Sequence, residues 1–170
     1  MLTVLVIDES RSRAGEICAG LALAGYQVAA ILAGSKNLTA EVEKLQPDVI
    51  LIDTDSPSRD TLENLAAMHK DMPRPVVIFT QEDGQATIRD AVRAGVSAYV
   101  VDGLDPKRIK PIVEVARARF EDTQALRREL DEISQKLSDR KLVDKAKGVL
   151  MKARGLDEDA AYHAMRKLAM

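Results

Sequence analysis

The sequence predicts an α/β protein: a doubly wound, five-stranded parallel sheet followed by a helix-only extension. Three observations carry this. Short β-branched runs alternate with helical patterns over the first hundred residues. Those runs are apolar almost throughout, not at every second position. From Asp105 onward the strand patterns cease. Near-continuous apolar strands between helices need cover on both faces, which a parallel sheet with crossover helices supplies.

The strand runs are residues 3–7, 27–32, 48–52, 76–79 and 98–101. Ile17, Leu21 and Leu23 mark a first helix, closed by Gly25 where a left-handed residue is favoured. Leu38, Val42 and Leu45 mark a second, stopped by Pro47. Leu62, Leu65 and Met68 mark a third, and Ile88, Ala91 and Val92 a fourth, closed by Gly95. In such a fold the functional crevice lies outside the C-terminal ends of the strands.

Asp105 and Pro106 read as a cap and first helical residue, with the regular helix expected from Pro111. Ile109, Ile112, Ala116, Arg119, Thr123, Leu126, Leu130, Ile133 and Leu137 then repeat at the spacing of a coiled-coil seam, seven of the nine being apolar. Residues 109–116 are expected to pack on the sheet. Beyond Phe120 the helix outruns any sheet, so Leu126, Leu130, Ile133 and Leu137 are expected to meet another helix. A second copy of the chain is the simplest candidate, and a homodimer is expected. Gly155 is expected to end the long helix, and Asp157, Glu158 and Asp159 to start a last one carrying Ala160, Ala161, Ala164, Met165 and Leu168. That helix has no stop signal before Met170, so a further helix is expected beyond it. The expected division is a regulatory domain over 1–115, a coiled-coil helix over 116–140 and a small, incomplete all-α module over 141–170.

Composition bounds the setting. With 46% hydrophobic and 31% charged residues the chain reads as soluble and globular. No apolar run approaches the roughly 20 residues of a membrane span, and the N-terminus lacks a secretory pattern. The single Cys18 cannot form an internal disulfide and is expected to be a buried small hydrophobe, so a reducing, cytoplasmic compartment is expected. The net charge of -2 conceals an asymmetry. Residues 1–104 carry 9 basic and 15 acidic side chains, and residues 105–170 carry 16 and 12. The sharpest stretch, 140–154, holds Arg140, Lys141, Lys145, Lys147, Lys152 and Arg154 against Asp144 alone. Different partners for the two parts follow from this.

Asp8 and Glu9 follow the first strand, Asp53 the third with Pro57 four residues on, and Thr80 the fourth. Over residues 1–115 this spacing resembles the receiver domain of two-component response regulators, with its flavodoxin-like fold. The resemblance implies a divalent-cation site at Asp8, Glu9 and Asp53, a phosphoryl-accepting Asp53 and a contacting Thr80. Carboxylates at strand ends do supply the hard oxygen ligands Mg²⁺ takes, so Mg²⁺ is a possible, not a required, cofactor. One departure stands out: Asp102 and Gly103 follow the fifth strand where receivers place a lysine and a proline. Asp102 is expected to add a carboxylate to the same corner and to oppose phosphorylation. The alternative to a phosphoacceptor is a pseudo-receiver used as a docking surface. Tyr99 stands at a receiver's switch aromatic, or is a strand residue half-covering the sheet edge.

Residues 141–170 resemble the ANTAR domain of AmiR/NasT-type regulators, through Ala146-Lys147-Gly148-Val149-Leu150-Met151, Gly155-Leu156, Ala160-Ala161-Tyr162 and Leu168-Ala169-Met170. Asp102-Gly103-Leu104, Arg119-Phe120 and Glu129-Leu130 extend the likeness to NasT-like nitrate-assimilation antiterminators. The resemblance implies binding of a nascent leader RNA as paired hairpins, blocking a terminator. It also implies control by a separate nitrate-sensing, NasS-like partner in place of a kinase. The residues suit this: Lys141, Lys145 and Lys152 share one helical face, and Lys147 and Arg154 a neighbouring one. Such a face neutralises phosphates. Gly148 costs a helix about 1 kcal/mol relative to Ala and is explicable by close approach of another backbone or an RNA sugar. Val149, Leu150, Met151 and Met165 are expected to pack in a core, and Tyr162 between helices. His69 and His163 have no ligand-like neighbours. A phosphorylation-driven regulator of DNA, or a pure protein-interaction module, are the other readings; against the first, no helix-turn-helix pattern occurs. An enzyme is not expected, since no nucleophile triad or Gly-rich phosphate loop occurs.

Overall fold

The computed structural model describes residues 1–10, 12–154 and 158–169. The expected helix stop at Gly155, the start at Asp157, and Leu156 and Met170 lie outside the described residues. So do the side chains of Ala153, Arg154, Glu158, Ala161, Ala164, Leu168 and Ala169. In chain order the elements are β1 (Thr3–Asp8), α1 (Ala14–Leu23), β2 (Gln27–Leu32), α2 (Leu38–Leu45), β3 (Val49–Asp53) and α3 (Arg59–Asp71). There follow β4 (Val76–Thr80), α4 (Gln85–Arg93), β5 (Ala98–Val101), a 3₁₀ turn (Pro106–Arg108), α5 (Ile109–Arg154) and α6 (Glu158–Ala169). Two compact units result, residues 1–122 and 123–170.

The first unit is the expected doubly wound sheet, all parallel, in the order β2-β1-β3-β4-β5. Its strands alternate between two cores. Leu5, Ile7, Ile50, Ile52, Val76 and Ile78 face Leu38 and Val42 of α2, Leu65 and Met68 of α3 and Ala91 of α4. Val4, Val6, Val49, Leu51, Val77 and Phe79 face Ile17 and Leu21 of α1 and Ile109, Val113 and Ala116 of α5. Because both faces are covered, every side chain of β3 and β4 is buried, which explains their unbroken apolar runs. The sheet order reverses between β1 and β3. Parallel sheets of this order bind ligands at that switch point.

Several helix details differ from expectation. Leu23 is 85% exposed and Val92 is also exposed, because the buried rows are Ile17, Gly20 and Leu21 on α1 and Ala91 on α4. A one-position drift around a helix of 3.6 residues per turn suffices to turn such residues outward. Gly20 meets the start of the last helical segment: a Cβ there would lie 2.6 Å from Ile109 Cδ1 and 3.1 Å from Pro106 Cβ. Cys18 is half-buried, not enclosed. The long helix starts at Ile109, before Pro111, after a turn capped by the Asp105 carboxylate, which accepts from Lys107 N at 3.0 Å. Pro111 is tolerated because the first N–H groups of a helix have no intrahelical acceptor. No helix among the described residues is long and apolar enough to cross a membrane.

α5 joins the first unit through Ile109, Val113 and Ala116, all fully buried, as expected for residues 109–116. One polar bond secures the same contact: the buried Tyr26 hydroxyl donates to Glu114 Oε1 at 2.8 Å. Burial, that bond and the Glu114 charge push the Tyr26 phenol from 10.0 up to about 12, against a smaller opposing pull from Arg117. The unfolded chain loses this proton near pH 10 and the folded chain keeps it until about pH 12. The bond's contribution to stability is therefore complete below pH 10 and disappears as the pH rises through 12. An ultraviolet absorbance titration is expected to show one phenol ionising near pH 12, a step deleted in Tyr26→Phe.

Candidate functional site

The acid pocket forms where β1 and β3 end side by side. Asp8 and Asp53 are paired in register, and both side chains are buried. Ser10 links them: its hydroxyl lies 2.7 Å from Asp8 Oδ1 and 3.2 Å from Asp53 Oδ2. The guanidinium of Arg13, whose backbone caps the start of α1, reaches the other oxygen of Asp53, Nη1 to Oδ1 at 4.0 Å. Burial pushes the Asp53 carboxyl above its ordinary value. Arg13 and the Ser10 bond pull it back, while the charges of Asp8 and Asp55 add to the rise.

Glu9 goes elsewhere. Its carboxylate accepts from the Thr61 hydroxyl at 2.7 Å. Thr61 lies in the first turn of α3, where the Ser58 hydroxyl accepts from Thr61 N at 3.1 Å and lies 2.9 Å from Thr61 Oγ1. A carboxylate beside a helix N-terminus is stabilised by the unpaired N–H groups and the helix dipole. The expected trio of Asp8, Glu9 and Asp53 is therefore only a pair. Among the described residues no three carboxylate, imidazole or thiol groups converge as ligands for a metal ion. Receiver domains typically bind Mg²⁺ at this place, but the side chains here are arranged around Ser10 and Arg13.

The other pocket residues are also placed. Thr80 is buried, and its hydroxyl donates to Asp55 O at 2.9 Å and accepts from Glu82 N at 3.2 Å, which ties it to the loops after β3 and β4. Asp102 corrects the sequence expectation. It is exposed, at φ +69, and is not among the charges that act on Asp53; Asp55 supplies the extra negative charge instead. Two successive residues there, Asp102 and Gly103 (φ +89), take left-handed conformations. Tyr99 is half-buried, with its hydroxyl donating to Glu82 O at 2.8 Å, and so braces the β4–α4 loop. Burial pushes its phenol up.

Sequence reasoning missed Ser10, Arg13 and Thr61. A signal for Arg13 was present. With no lysine after β5, a replacement cation was to be sought among the other loops at the strand ends. The loop directly after Asp8-Glu9 contains Ser10, Arg11, Ser12 and Arg13.

In the second unit, Arg140, Lys141, Lys145 and Lys152 are exposed on α5. Lys147 is half-buried, with Nζ 5.6 Å from the ring centroid of Tyr162 on α6. It thus belongs to the contact between the two helices, as does Tyr162, and less to the open face. Val149 and Met151 are exposed, contrary to the expected core, and Leu150 and Met165 are only partly buried. Two helices cannot enclose a stripe that needs a third surface. A Cβ on Gly148 would meet nothing within 4 Å. Leu126, Leu130, Ile133 and Leu137 are each more than half exposed.

Comparison with known proteins follows the same two units. The response regulator receiver domain family matches residues 4–114, and the ANTAR domain family residues 131–170. The chain is 28% identical to the transcriptional regulatory protein PdtaR of Mycobacterium tuberculosis over 146 residues, 86% of this chain and 71% of that protein. It is 30% identical to the DNA-binding response regulator MtrA of Mycolicibacterium smegmatis over 122 residues, 72% of this chain and 53% of that protein. A CheY-like receiver domain protein from Methanospirillum hungatei superposes with a TM-score of 0.62 at 20% identity. The match covers 72% of this chain and 98% of that one, a likeness of fold.

With no lysine at the β5 corner and both Asp53 oxygens already engaged, the full-length protein treated with acetyl phosphate and Mg²⁺ is expected to accumulate no lasting phosphoryl adduct. Intact-mass spectrometry checks this. An adduct that vanishes in Asp53→Asn overturns it.

Proposed function

We propose that this chain, which belongs to the response regulator receiver family and carries an RNA-binding ANTAR domain at residues 131–170, is a dimeric antiterminator acting on paired hairpins of a nascent leader RNA. The observation that carries the reading is the coincidence of the ANTAR match with an exposed basic helix face, Arg140, Lys141, Lys145 and Lys152. Such a face neutralises phosphates, while sequence is read from splayed loop bases. Gly148 supports it. A mid-helix glycine costs about 1 kcal/mol, and the open space around this one is room for a close approach from outside the chain. Lys147 and Arg154, on the neighbouring face, add to the same basic surface, and Lys147 Nζ lies 5.6 Å from the Tyr162 ring.

The receiver unit controls this output through a protein partner. Asp8, Asp53 and Thr80 lie at its strand-end crevice, with Glu9 and Asp102 on the adjoining loops, and Arg13 lies against Asp53 in the absence of a phosphoryl group. A sensor of nitrate or nitrite, of the NasS-like kind, fits a regulator that needs no kinase. Filter binding of leader RNA and of duplex DNA over a range of salt tests the whole reading. Preference for RNA supports it, and preference for DNA replaces it with a DNA-directed response regulator.

Two variants test its parts. Lys141→Ala with Lys145→Ala is expected to weaken leader binding and to flatten the plot of log affinity against log salt by about 1.5, the loss of two phosphate contacts. Circular dichroism is expected to show the helix intact, since Ala favours it. An unchanged slope means a merely solvated face. Leu130→Asp with Ile133→Asp puts charges into the apolar seam and is expected to give monomers with an intact α/β unit in sedimentation. A variant that remains dimeric places the interface elsewhere.

A further inference from the structure

We infer that Arg13 is the resident cation of the acid pocket, occupying the space against Asp53 that a divalent ion requires, so that such an ion binds there only by displacing the guanidinium. Four observations meet in this. First, the pair is sheltered: the Asp53 side chain is 4% exposed and that of Arg13 33%, with Nη1 4.0 Å from Oδ1. Attraction between charges is screened much less in such a place than at an open surface.

Second, Arg13 is held by its backbone. Its carbonyl accepts from Ile17 N at 2.9 Å as the cap of α1, so the side chain starts from a fixed point. Third, the guanidinium lies within contact range of the stretch that follows β5. A Cβ on Gly103 would stand 3.6 Å from Arg13 Nη1 and 3.7 Å from Gln81 Nε2. The guanidinium therefore lies beside residues 102–105, which follow β5 and carry no cationic side chain. Fourth, one oxygen each of Asp8, Asp53 and Glu9 lies within hydrogen-bond distance of a hydroxyl. Ser10 bridges Asp8 Oδ1 and Asp53 Oδ2, and Thr61 holds the Glu9 carboxylate at α3.

A guanidinium is planar and always charged, and this one stands with Nη1 4.0 Å from Asp53 Oδ1. A divalent ion at the same oxygens faces both repulsion from Arg13 and the loss of its pairing with Asp53. Removing the guanidinium, and nothing else, then strengthens the binding of such an ion. The distinction from a merely structural arginine is that its loss strengthens a ligand's binding.

The test uses the full-length protein with Mn²⁺ as the probe, free ion being followed by electron paramagnetic resonance. Arg13→Ala is expected to bind Mn²⁺ about tenfold more tightly than the natural chain, the low end of the one-to-three-unit effect of an opposite charge beside a carboxylate. Adding Asp53→Asn to Arg13→Ala is expected to abolish the gain. Arg13→Gln, which keeps a side chain of similar reach without charge, is expected to show the same gain and decides the matter if the alanine variant unfolds. Equal or weaker Mn²⁺ binding in the folded Arg13 variants overturns the inference, as does a gain that survives Asp53→Asn.

Discussion

The pairing of β1 with β3 is the constraint on which the rest of the receiver unit depends. Their parallel register sets Asp8 directly beside Asp53 at the point where the sheet order reverses. Both strands are buried along their lengths, so neither can slip without moving its apolar set to the wrong depth. Two carboxylates are thereby forced together out of water, an arrangement that costs free energy unless cations and donors meet it. Ser10 and Arg13 meet it from the loop after β1, and the cap of α3 draws the third acid, Glu9, aside.

This arrangement changes what the pocket can do. A receiver that keeps a lysine after β5 presents a cation to whatever binds at its aspartate. Here the cation comes from the opposite loop and is paired with Asp53 in the resting chain. Tyr99 and Thr80, bonded to the backbone at Glu82 and Asp55, tie the loops around the pocket together, so a change at Asp53 has neighbours through which to act.

The two units have opposite electrostatic character: residues 1–122 carry 14 basic and 19 acidic side chains, residues 123–170 11 and 8. A polyanion is attracted to the second and repelled by the first. Within the second unit the apolar positions divide. Leu126, Leu130, Ile133 and Leu137 follow coiled-coil spacing, whereas Val149 and Met151 lie in the match to the ANTAR family and face outward. Large exposed apolar rows of this kind mark surfaces of interaction rather than a finished core.

The sequence by itself determined the sheet, its five strands, the two-sided burial and the basic face, because these follow from local periodicity and from which side chains tolerate water. Thr3 to Val101 could be partitioned into elements with errors of a residue or two, and Asp8, Asp53 and Thr80 could be placed at strand ends. Only the tertiary structure decided how the acids are used. Glu9 and Asp102 were assigned to one corner because they adjoin strand ends, yet Glu9 bonds to Thr61, 52 residues away, and Asp102 is exposed at positive φ. Leu23 and Val92 mark their helices by spacing, and only the packing shows that both are exposed. Arg13 was passed over as one charge among many in a loop. Its partnership with Asp53 joins residues 40 positions apart in the chain and exists only once β1 and β3 pair, since a local pattern carries no information about which side chain will find an opposite charge across a folded sheet.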